Sequence, residues 1–481
     1  MMILLFFLLS IVIAGVVATV KSRQAAHWTA ACYYGVQILF AAFVVGWGIG
    51  RTELQFFTFD LLGTIFFVLM SVISSVAYVQ SNYYLDNESL RQYKLYNISL
   101  MLLCTSATGV YFANNVAVTW IFLEATTLCT AGLVYHRRNR RSLEATWKYV
   151  FVCSLGIAVA YLGILLLSTV TAGGELSYAN LVRTVTSGNP LYLKIAFLFI
   201  LVGYSCKMEI FPLYTIDVDA NFAAPAPASA VISTVLVNAG FVAFFRVYEV
   251  AVVSPVYEWF KHVLILAGLI SLLIAAVYLR RTNHYKRFWA YSTVECMGVA
   301  VVALGVGGAA IFAAVLQVIT HALIKSGVFV LMGQVGKKYG SYSDEKPSDR
   351  YHRNLYRNVT SAILNLKVPK EEIEESNFII ERDPKSLITK SQVKGKMTPG
   401  FEAKVLDKED QFTKVRVTYN QDYLPIKLEW YFKGKDGLKW YTWSRFSYPY
   451  QTESEFNKKL DEEIQRIKDI EEEHEAEGRD G

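Results

Sequence analysis

The sequence predicts an all-α polytopic membrane protein with about eleven transmembrane helices, followed by a small soluble α+β domain. Of its 481 residues, 53% are hydrophobic and 18% are charged, a composition that excludes disordered and fibrous chains. The charge is unevenly divided, because residues 1–340 hold 22 Lys/Arg and 13 Asp/Glu whereas residues 341–481 hold 25 and 28. We therefore expect a membrane domain over residues 1–340 and a charged, soluble domain over residues 341–481.

Eleven stretches of the first domain approach the roughly 20 apolar residues that a helix needs to cross a bilayer. They lie at about residues 2–20, 29–49, 56–80, 96–113, 116–135, 147–171, 191–211, 224–247, 259–279, 288–305 and 309–335. The first stretch lacks a basic start and is followed by many similar segments. It is therefore interpreted as a span and not as a cleaved signal peptide.

The loops between these spans alternate in charge. Loops one, three, five and nine and the exit from span eleven carry most of the basic residues: Lys21, Arg23, Arg91, Lys94, Arg137, Arg138, Arg140, Arg141, Lys148, Arg280, Arg281, Lys286, Arg287, Lys337 and Lys338. Cytoplasmic loops of membrane proteins are enriched in Lys and Arg. We therefore expect the N-terminus outside and the C-terminal tail in the cytoplasm.

Between spans seven and eight the chain reads FPLYTIDVDANFAAPAPAS, with Pro212, Pro225 and Pro227 around Asp217 and Asp219. Proline interrupts helical hydrogen bonding, and an interrupted backbone at membrane depth persists only where it is buried in protein or lines a wet cavity. Interrupted helices of this kind often mark ion sites in transporters. A plain cytoplasmic turn explains the same residues, so both interpretations stay open.

Ionisable side chains within the spans are candidates for function, because each costs about 2.5–3.5 kcal/mol at the centre of a helix. Glu124 lies in span five without a basic residue nearby in that span, and Lys207 lies near the end of span seven. Asn238 adds a polar group in span eight. Lys207 is alternatively an anchor whose amine reaches the interface.

His321 and Lys325 lie four residues apart in span eleven, on one helix face. His321 alone would be interpreted as a satisfied core histidine, and the nearby lysine favours a functional interpretation. Glu295, in span ten, is explained equally well by an ion pair with the basic loop before it. Glu144 and Lys148 have the i,i+4 spacing of a helix-surface salt bridge.

The six cysteines lie in the apolar part and form no CxxC pair, so no disulfide framework, zinc site or iron–sulfur site is predicted. The tail contains short alternating runs, VKGKMT, FEAKVLD, TKVRVTY, IKLEWYFKG and LKWYTWSRFS, separated by turn residues. This pattern predicts a small antiparallel β-meander. An amphipathic stretch at 350–366 and a charged helix at 452–477 are expected to flank it.

The strings LEATTLCTAGLV, RRSLEATWKYV, KRFWAYSTVECMGVAVVALGVGG and THALIKSGVFVLMGQV resemble the antiporter-like, proton-translocating subunits of complex I. They are most similar to component F of hydrogenase-4 and of formate hydrogenlyase-type complexes, over residues 1–340. The resemblance implies two inverted five-helix repeats, spans four to eight and nine to thirteen. Each repeat would contribute a broken helix, and protons would pass through half-channels joined by a polar axis.

The same resemblance implies site residues. Glu124 and Lys207 resemble the glutamate and lysine of the input half-channel, and Lys325, with His321, resembles the connecting lysine. Asn238 stands where many complex I relatives have another lysine. Glu144, Lys148, Asp219 and Glu295 are expected to be structural or to support these groups.

Two departures from the family pattern stand out. The loop after the seventh span resembles FPxHxWLPDAHxEAPxPVS, but other residues replace its His, Trp, Pro and Glu: Tyr214, Ile216, Val218 and Ala223. Asp219, Pro225 and Pro227 are kept. The resemblance ends at KKYGSYS, so the broken twelfth helix with its ionisable exit residue has no counterpart.

The sequence thus predicts a non-catalytic, proton-translocating subunit of a respiratory or hydrogenase complex, of the hydrogenase-4/formate hydrogenlyase or NADH–quinone oxidoreductase type. Its expected partners are other membrane and peripheral subunits, lipid and protons, with no cofactor, metal or nucleic acid. Its expected place is the inner (plasma) membrane of a bacterium or archaeon. Two alternatives stay open: a structural or assembly scaffold without a complete proton exit, and an Mrp-type cation/proton antiporter subunit.

Overall fold

The computed structural model describes residues 1–86, 88–170, 174–282, 284–339, 379–382, 412–421, 425–434 and 437–445. The chain divides into two compact units at residue 344. The first unit is helical, and the second contains a small sheet.

The described part of the first unit contains fourteen α-helices: α1 Met2–Thr19, α2 Arg23–Phe43, α3 Leu61–Tyr84, α4 Leu90–Phe112, α5 Val116–Val134, α6 Arg140–Ser168, α7 Tyr178–Thr184, α8 Pro190–Met208, α9 Thr215–Ala223, α10 Ala226–Val231, α11 Val237–Val252, α12 Tyr257–Arg281, α13 Tyr285–Val306 and α14 Ala310–Tyr339. A short hairpin of β1 Thr52–Glu53 and β2 Phe57–Thr58 precedes α3. A π-helical turn, Ile232–Leu236, joins α10 to α11.

Eleven segments of the described chain are long and apolar enough to cross a membrane, as predicted. They are α1 to α6, α8, the continuous segment Ala226–Val252, and α12 to α14. Several helices begin before their apolar stretch because a polar capping residue fixes the N-terminus of the helix. For example, Ser89 accepts the Gln92 backbone N–H before α4, and Asn139 forms a capping box with Ser142 before α6.

The central helical segment, Ala226–Val252, lies at the middle of the packing. Its apolar stretch is 100% buried, whereas the corresponding figure for α12 and for α14 is 28%. Small residues permit this close packing: a Cβ at Gly240 would lie 2.6 Å from the Lys207 carbonyl oxygen. The centre of the molecule is therefore closed to lipid, while the outer helices present apolar surfaces.

The helix is interrupted between α8 and α10, where the prolines predicted a break. α8 ends at Met208, and Glu209 adopts a left-handed conformation with φ +53°. The short helix α9 follows, with Ile216, Asp217 and Asn221 among its buried residues. The segment is thus enclosed by protein, which favours an interrupted helix and excludes the exposed-turn interpretation.

Lys286 of α13 holds the end of the interrupted segment. Its Nζ donates hydrogen bonds to the carbonyl oxygen of Phe222, at 3.1 Å, and to that of Ala224. The last carbonyls of a helix have no partner in the helix itself, and a cation there is favourable. The break is therefore fixed to α13.

The described part of the second unit contains an antiparallel sheet in the order β3 Ile379–Arg382, β4 Phe412–Tyr419, β5 Pro425–Gly434 and β6 Gly437–Arg445. The runs TKVRVTY, IKLEWYFKG and LKWYTWSRFS lie largely within β4, β5 and β6. Cross-strand neighbours Tyr431 and Trp440 pack with ring centroids 5.2 Å apart. The sequence analysis missed β3, which is short and half charged. The runs VKGKMT and FEAKVLD and the helices at 350–366 and 452–477 lie outside the described residues.

Candidate proton-transfer site

Lys207 lies in the last turn of α8 and is 0% exposed. Its Nζ donates a hydrogen bond to the Tyr149 hydroxyl at 3.1 Å and sits 5.2 Å from the centre of that ring. It forms no ion pair among the described residues. The amine is therefore enclosed by protein, which argues against the interpretation of Lys207 as an interfacial anchor.

Glu124 is half-buried on α5 and faces α6. Its Oε1 accepts a hydrogen bond from Ser154 Oγ at 2.6 Å, and its Oε2 accepts one from Thr127 Oγ1 at 3.4 Å. No basic side chain pairs with it in the described part of the chain. Cys153 of α6 interacts electrostatically with both Glu124 and Lys207, so both groups lie beside one stretch of α6.

His321 and Lys325 are both buried on α14, and each is held by a backbone carbonyl. His321 Nε2–H donates to Ser233 O in the π-helical turn at 3.1 Å. Lys325 Nζ donates to Trp289 O of α13 at 2.9 Å and lies 4.9 Å from the Trp289 ring centre. The turn exposes a carbonyl to a side-chain donor, as π-helical turns at functional sites often do.

Asn238 lies two residues past the end of the π-helical turn and is 0% exposed. Neither its Oδ1 nor its Nδ2 has a hydrogen-bond partner among the described residues. Buried amides without partners are rare in native proteins. Asn238 is thus enclosed by protein and stays a candidate for the proton path.

Two buried carboxylates near these groups were not among the predicted site residues. Glu209 and Asp217 lie in the break after α8 and are each 1% exposed. The signal was present in the sequence, because both acids stand beside the prolines of an apolar segment. Of the acids in this segment, only Asp219 was predicted, as a structural or supporting residue.

Asp219 instead belongs to a surface cluster. Arg287 Nη2 lies 3.5 Å from Asp219 Oδ1, and Lys148 Nζ lies 3.8 Å from its Oδ2. Lys148 also pairs with Glu144 at 2.7 Å, where both side chains are more than half exposed. These four residues tie the ends of α6, α9 and α13 together, and this is the geometry of a helix-surface salt bridge.

Glu295 lies apart from the enclosed groups, because its side chain is exposed on α13. The suggested ion pair with the preceding basic loop is not formed among the described residues. Arg287 is engaged by Asp219, and Lys286 by the end of α9. Glu295 interacts electrostatically with Lys325 without an ion pair between them.

Arg246 of α11 is a further buried charge that sequence reasoning missed. Its guanidinium donates to both oxygens of Asp60 at 3.1 Å and to the Val110 carbonyl at 3.1 Å. It also donates to the carbonyls of Tyr111 and Ala113. Asp60 caps α3 and these carbonyls end α4, so Arg246 is a structural clamp.

The family described as NADH:quinone oxidoreductase/Mrp antiporter, TM matches residues 113–353, half of the chain. The chain belongs to this family. The matched region contains Glu124, Lys207 and Lys325 together with the interrupted helix. The resemblance that the sequence strings indicated is thereby confirmed.

Two relatives illustrate the family. A hydrogenase-4 component F homolog of Methylacidiphilum infernorum is 32% identical over 296 residues, which are 59% of this chain and 62% of that protein. Na(+)/H(+) antiporter subunit A1 of Staphylococcus aureus is 28% identical over 304 residues, which are 60% of this chain and 37% of that protein. The chain thus spans less than two thirds of the length of either relative.

Two solved structures share the fold. The membrane-bound sulfane sulfur reductase, an archaeal respiratory membrane complex, contains a chain with a TM-score of 0.66 at 22% identity, covering 72% of this chain and 73% of that one. The Mrp complex from Dietzia sp. DQ12-45-1b gives a TM-score of 0.62 at 18% identity, covering 71% and 65%. The antiporter-like fold class, with eleven spans, is confirmed.

Proposed function

We propose that this chain is a proton-translocating subunit of a membrane respiratory or hydrogenase complex, in which electron transfer in partner subunits drives protons across the membrane. The observation that carries the proposal is Lys207, an amine wholly enclosed within the membrane unit and held by one tyrosine hydroxyl. With one hydrogen bond and no ion pair in the described residues, Lys207 does not tie helices together as a structural ion pair would. Ionisable groups inside a membrane commonly mark proton relays.

The chemistry follows from charge. An enclosed amine keeps its proton when a negative charge is near and releases it when that charge moves away or is neutralised. Glu124 lies across α6 from Lys207 and can supply such a charge, since its carboxylate is held by two hydroxyls and by no cation in the described residues. Proton uptake and release at Lys207 can thus follow an electrostatic signal from a partner without electron transfer in this chain.

The expected partners are the other membrane and peripheral subunits of the complex. The relatives support this, because one is named as a component of hydrogenase-4 and another as a subunit of an antiporter. The expected location is a bacterial or archaeal plasma membrane with the tail in the cytoplasm, supported by the basic loops. Residues 341–481 would then form a cytoplasmic domain.

A second candidate is an Mrp-type cation/proton antiporter subunit. The similarity to Na(+)/H(+) antiporter subunit A1 favours it. The two candidates differ in their dependence on sodium, because an antiporter exchanges protons for a second cation while a redox-driven pump does not need one.

The test compares Lys207→Met with Lys194→Met in membrane vesicles that contain the intact complex. Lys194 is a matched control, since it lies on the same helix, half-buried and 5.5 Å from the Trp259 ring centre. We expect Lys207→Met to lower the rate of pH-gradient formation by about tenfold or more while Lys194→Met leaves it unchanged. Wild-type pumping by Lys207→Met would leave the scaffold alternative standing, and a gradient that required sodium would favour the antiporter.

A further inference from the structure

The break after α8 encloses two carboxylates that have few hydrogen-bond donors. Glu209 Oε1 accepts a hydrogen bond from Asn221 Nδ2 at 3.2 Å. Glu209 Oε2 and both oxygens of Asp217 have no hydrogen-bond partner in the described part of the chain. Buried ionised carboxylates normally accept several hydrogen bonds or pair with a cation. This site therefore has too few hydrogen-bond donors for two ionised carboxylates.

The two carboxylates are neighbours. Asp217 and Asn221 are one turn apart on α9 and therefore share a face of that helix. Because the Asn221 amide binds Glu209, both acids flank this one side chain, and they interact electrostatically. The Asn221 Oδ1, which is also buried and without a partner among the described residues, belongs to the same group of polar atoms.

Each acid has one of the two buried lysines within range of its charge. Asp217 interacts electrostatically with Lys207, and with Tyr149 and Cys153 of α6. Glu209 interacts electrostatically with Lys325 of α14. Lys207 is held by the Tyr149 hydroxyl and Lys325 by the Trp289 carbonyl, and neither forms an ion pair within 4 Å in the described residues, so neither amine is fixed to one carboxylate.

The energetics favour a bound proton. Two adjacent ionised carboxylates in an enclosed site repel each other, and each ion loses its favourable hydration. One proton shared by the pair removes one charge and supplies one donor. Proton transfer from the Lys207 ammonium to the Asp217 carboxylate leaves a neutral amine and a neutral acid. Transfer from the Glu209 carboxylic acid to the Lys325 amine leaves a carboxylate and an ammonium, so charge is conserved at both ends.

A titratable link between the two lysines is needed because the amide of Asn238 cannot gain or lose a proton at neutral pH. Glu209 holds a left-handed backbone, which is strained for a residue other than glycine, and such strained residues cluster at functional sites.

We infer that Glu209 and Asp217 form a proton-binding carboxylate pair that connects Lys207 to Lys325 through the break after α8. This inference rests on the proposed function, because it names the route between residues that the proposed function requires.

The test uses the intact complex with Glu209→Gln or Asp217→Asn, which keep side-chain size, and Glu249→Gln as a control acid whose side chain is exposed on α11. The first readout is infrared absorption of the purified complex, in which a protonated, buried carboxylic acid gives a carbonyl band that shifts in D2O. We expect this band in wild type and in Glu249→Gln, and its loss in Glu209→Gln or Asp217→Asn. Persistence of the band in both variants would overturn the inference, whatever the variants do to pumping.

The second readout is proton pumping in vesicles, normalised to the amount of assembled complex. We expect a loss of about tenfold in Glu209→Gln and Asp217→Asn. If both variants pump like wild type while Lys207→Met does not, the inference fails and the proposed function stands. If Lys207→Met pumps normally, the proposed function fails, and the infrared band alone decides whether the pair binds a proton. A band that disappears on adding sodium at constant pH would make the pair a sodium site and contradict the inference.

Discussion

Glu124 in α5 and Glu295 in α13 are both acids within transmembrane helices, and their surroundings are opposite. Glu124 is half-buried and accepts hydrogen bonds from Ser154 and Thr127. Glu295 is exposed and has neither hydrogen bond nor ion pair in the described part of the chain. The difference teaches that a charge within a span becomes a candidate for proton transfer only when the protein encloses it beside other titratable groups.

The difference extends to the helices around each residue. On the side of Glu124, α8 and the central segment Ala226–Val252 enclose Lys207 completely. On the side of Glu295, α12 and α14 are largely exposed. The side of Glu124 is thus a closed half of the membrane unit, and the side of Glu295 is an open half.

The largest effect is expected for Glu124→Gln. Glutamine can keep the hydrogen bond from Ser154 of α6 but removes the negative charge, so the amine of Lys207 loses its electrostatic partner across that helix. We expect coupled proton pumping to fall by about tenfold or more, measured as pH-gradient formation in vesicles. Glu258→Gln, which changes an exposed acid of α12, is the control, and pumping above half of the wild-type rate in Glu124→Gln would contradict the comparison.

A smaller effect is expected for Lys325→Met. Lys325 lies on α14 near the exposed side but is itself buried and bound to the Trp289 carbonyl. Its loss removes the last described basic group of the route, and we expect a several-fold decrease in pumping per assembled complex. Lys261→Met, at an exposed helix end, serves as the control. A normal rate in Lys325→Met would confine the route to the side of Glu124.

The effect of Glu295→Gln is expected to be less than about twofold. Its carboxylate makes no hydrogen bond and no ion pair with a described residue of the route, so it holds no member of the route in place. Pumping in the same vesicles checks this. A loss as large as that of Glu124→Gln would show that the open half also carries protons.

The smallest effect is expected for Glu144→Gln, which breaks an exposed pair with Lys148. Exposed salt bridges contribute about 0–1 kcal/mol, so neither pumping nor thermal stability in detergent should change measurably. A drop in the unfolding temperature of several degrees would mean that the surface cluster around Asp219 holds the interrupted helix in place.

The eleven spans and the break could be predicted from the sequence, because apolar length and proline act locally. The orientation of each side chain could not. A transmembrane helix that is apolar on all sides gives no periodic signal for its inward face, so the enclosure of Lys207 and the exposure of Glu295 could not be predicted from their spans. Arg246 was missed because its partners, Asp60 and the end of α4, are distant in sequence. Glu209 and Asp217 were passed over because acids beside prolines are also typical of exposed turns.

The most direct test of the central claim is the number of protons moved per electron transferred by the intact complex with and without Lys207. The account predicts that Lys207→Met lowers this ratio while partner electron transfer continues at a measurable rate. An unchanged ratio in Lys207→Met, with the variant protein present in normal amount, would contradict the account.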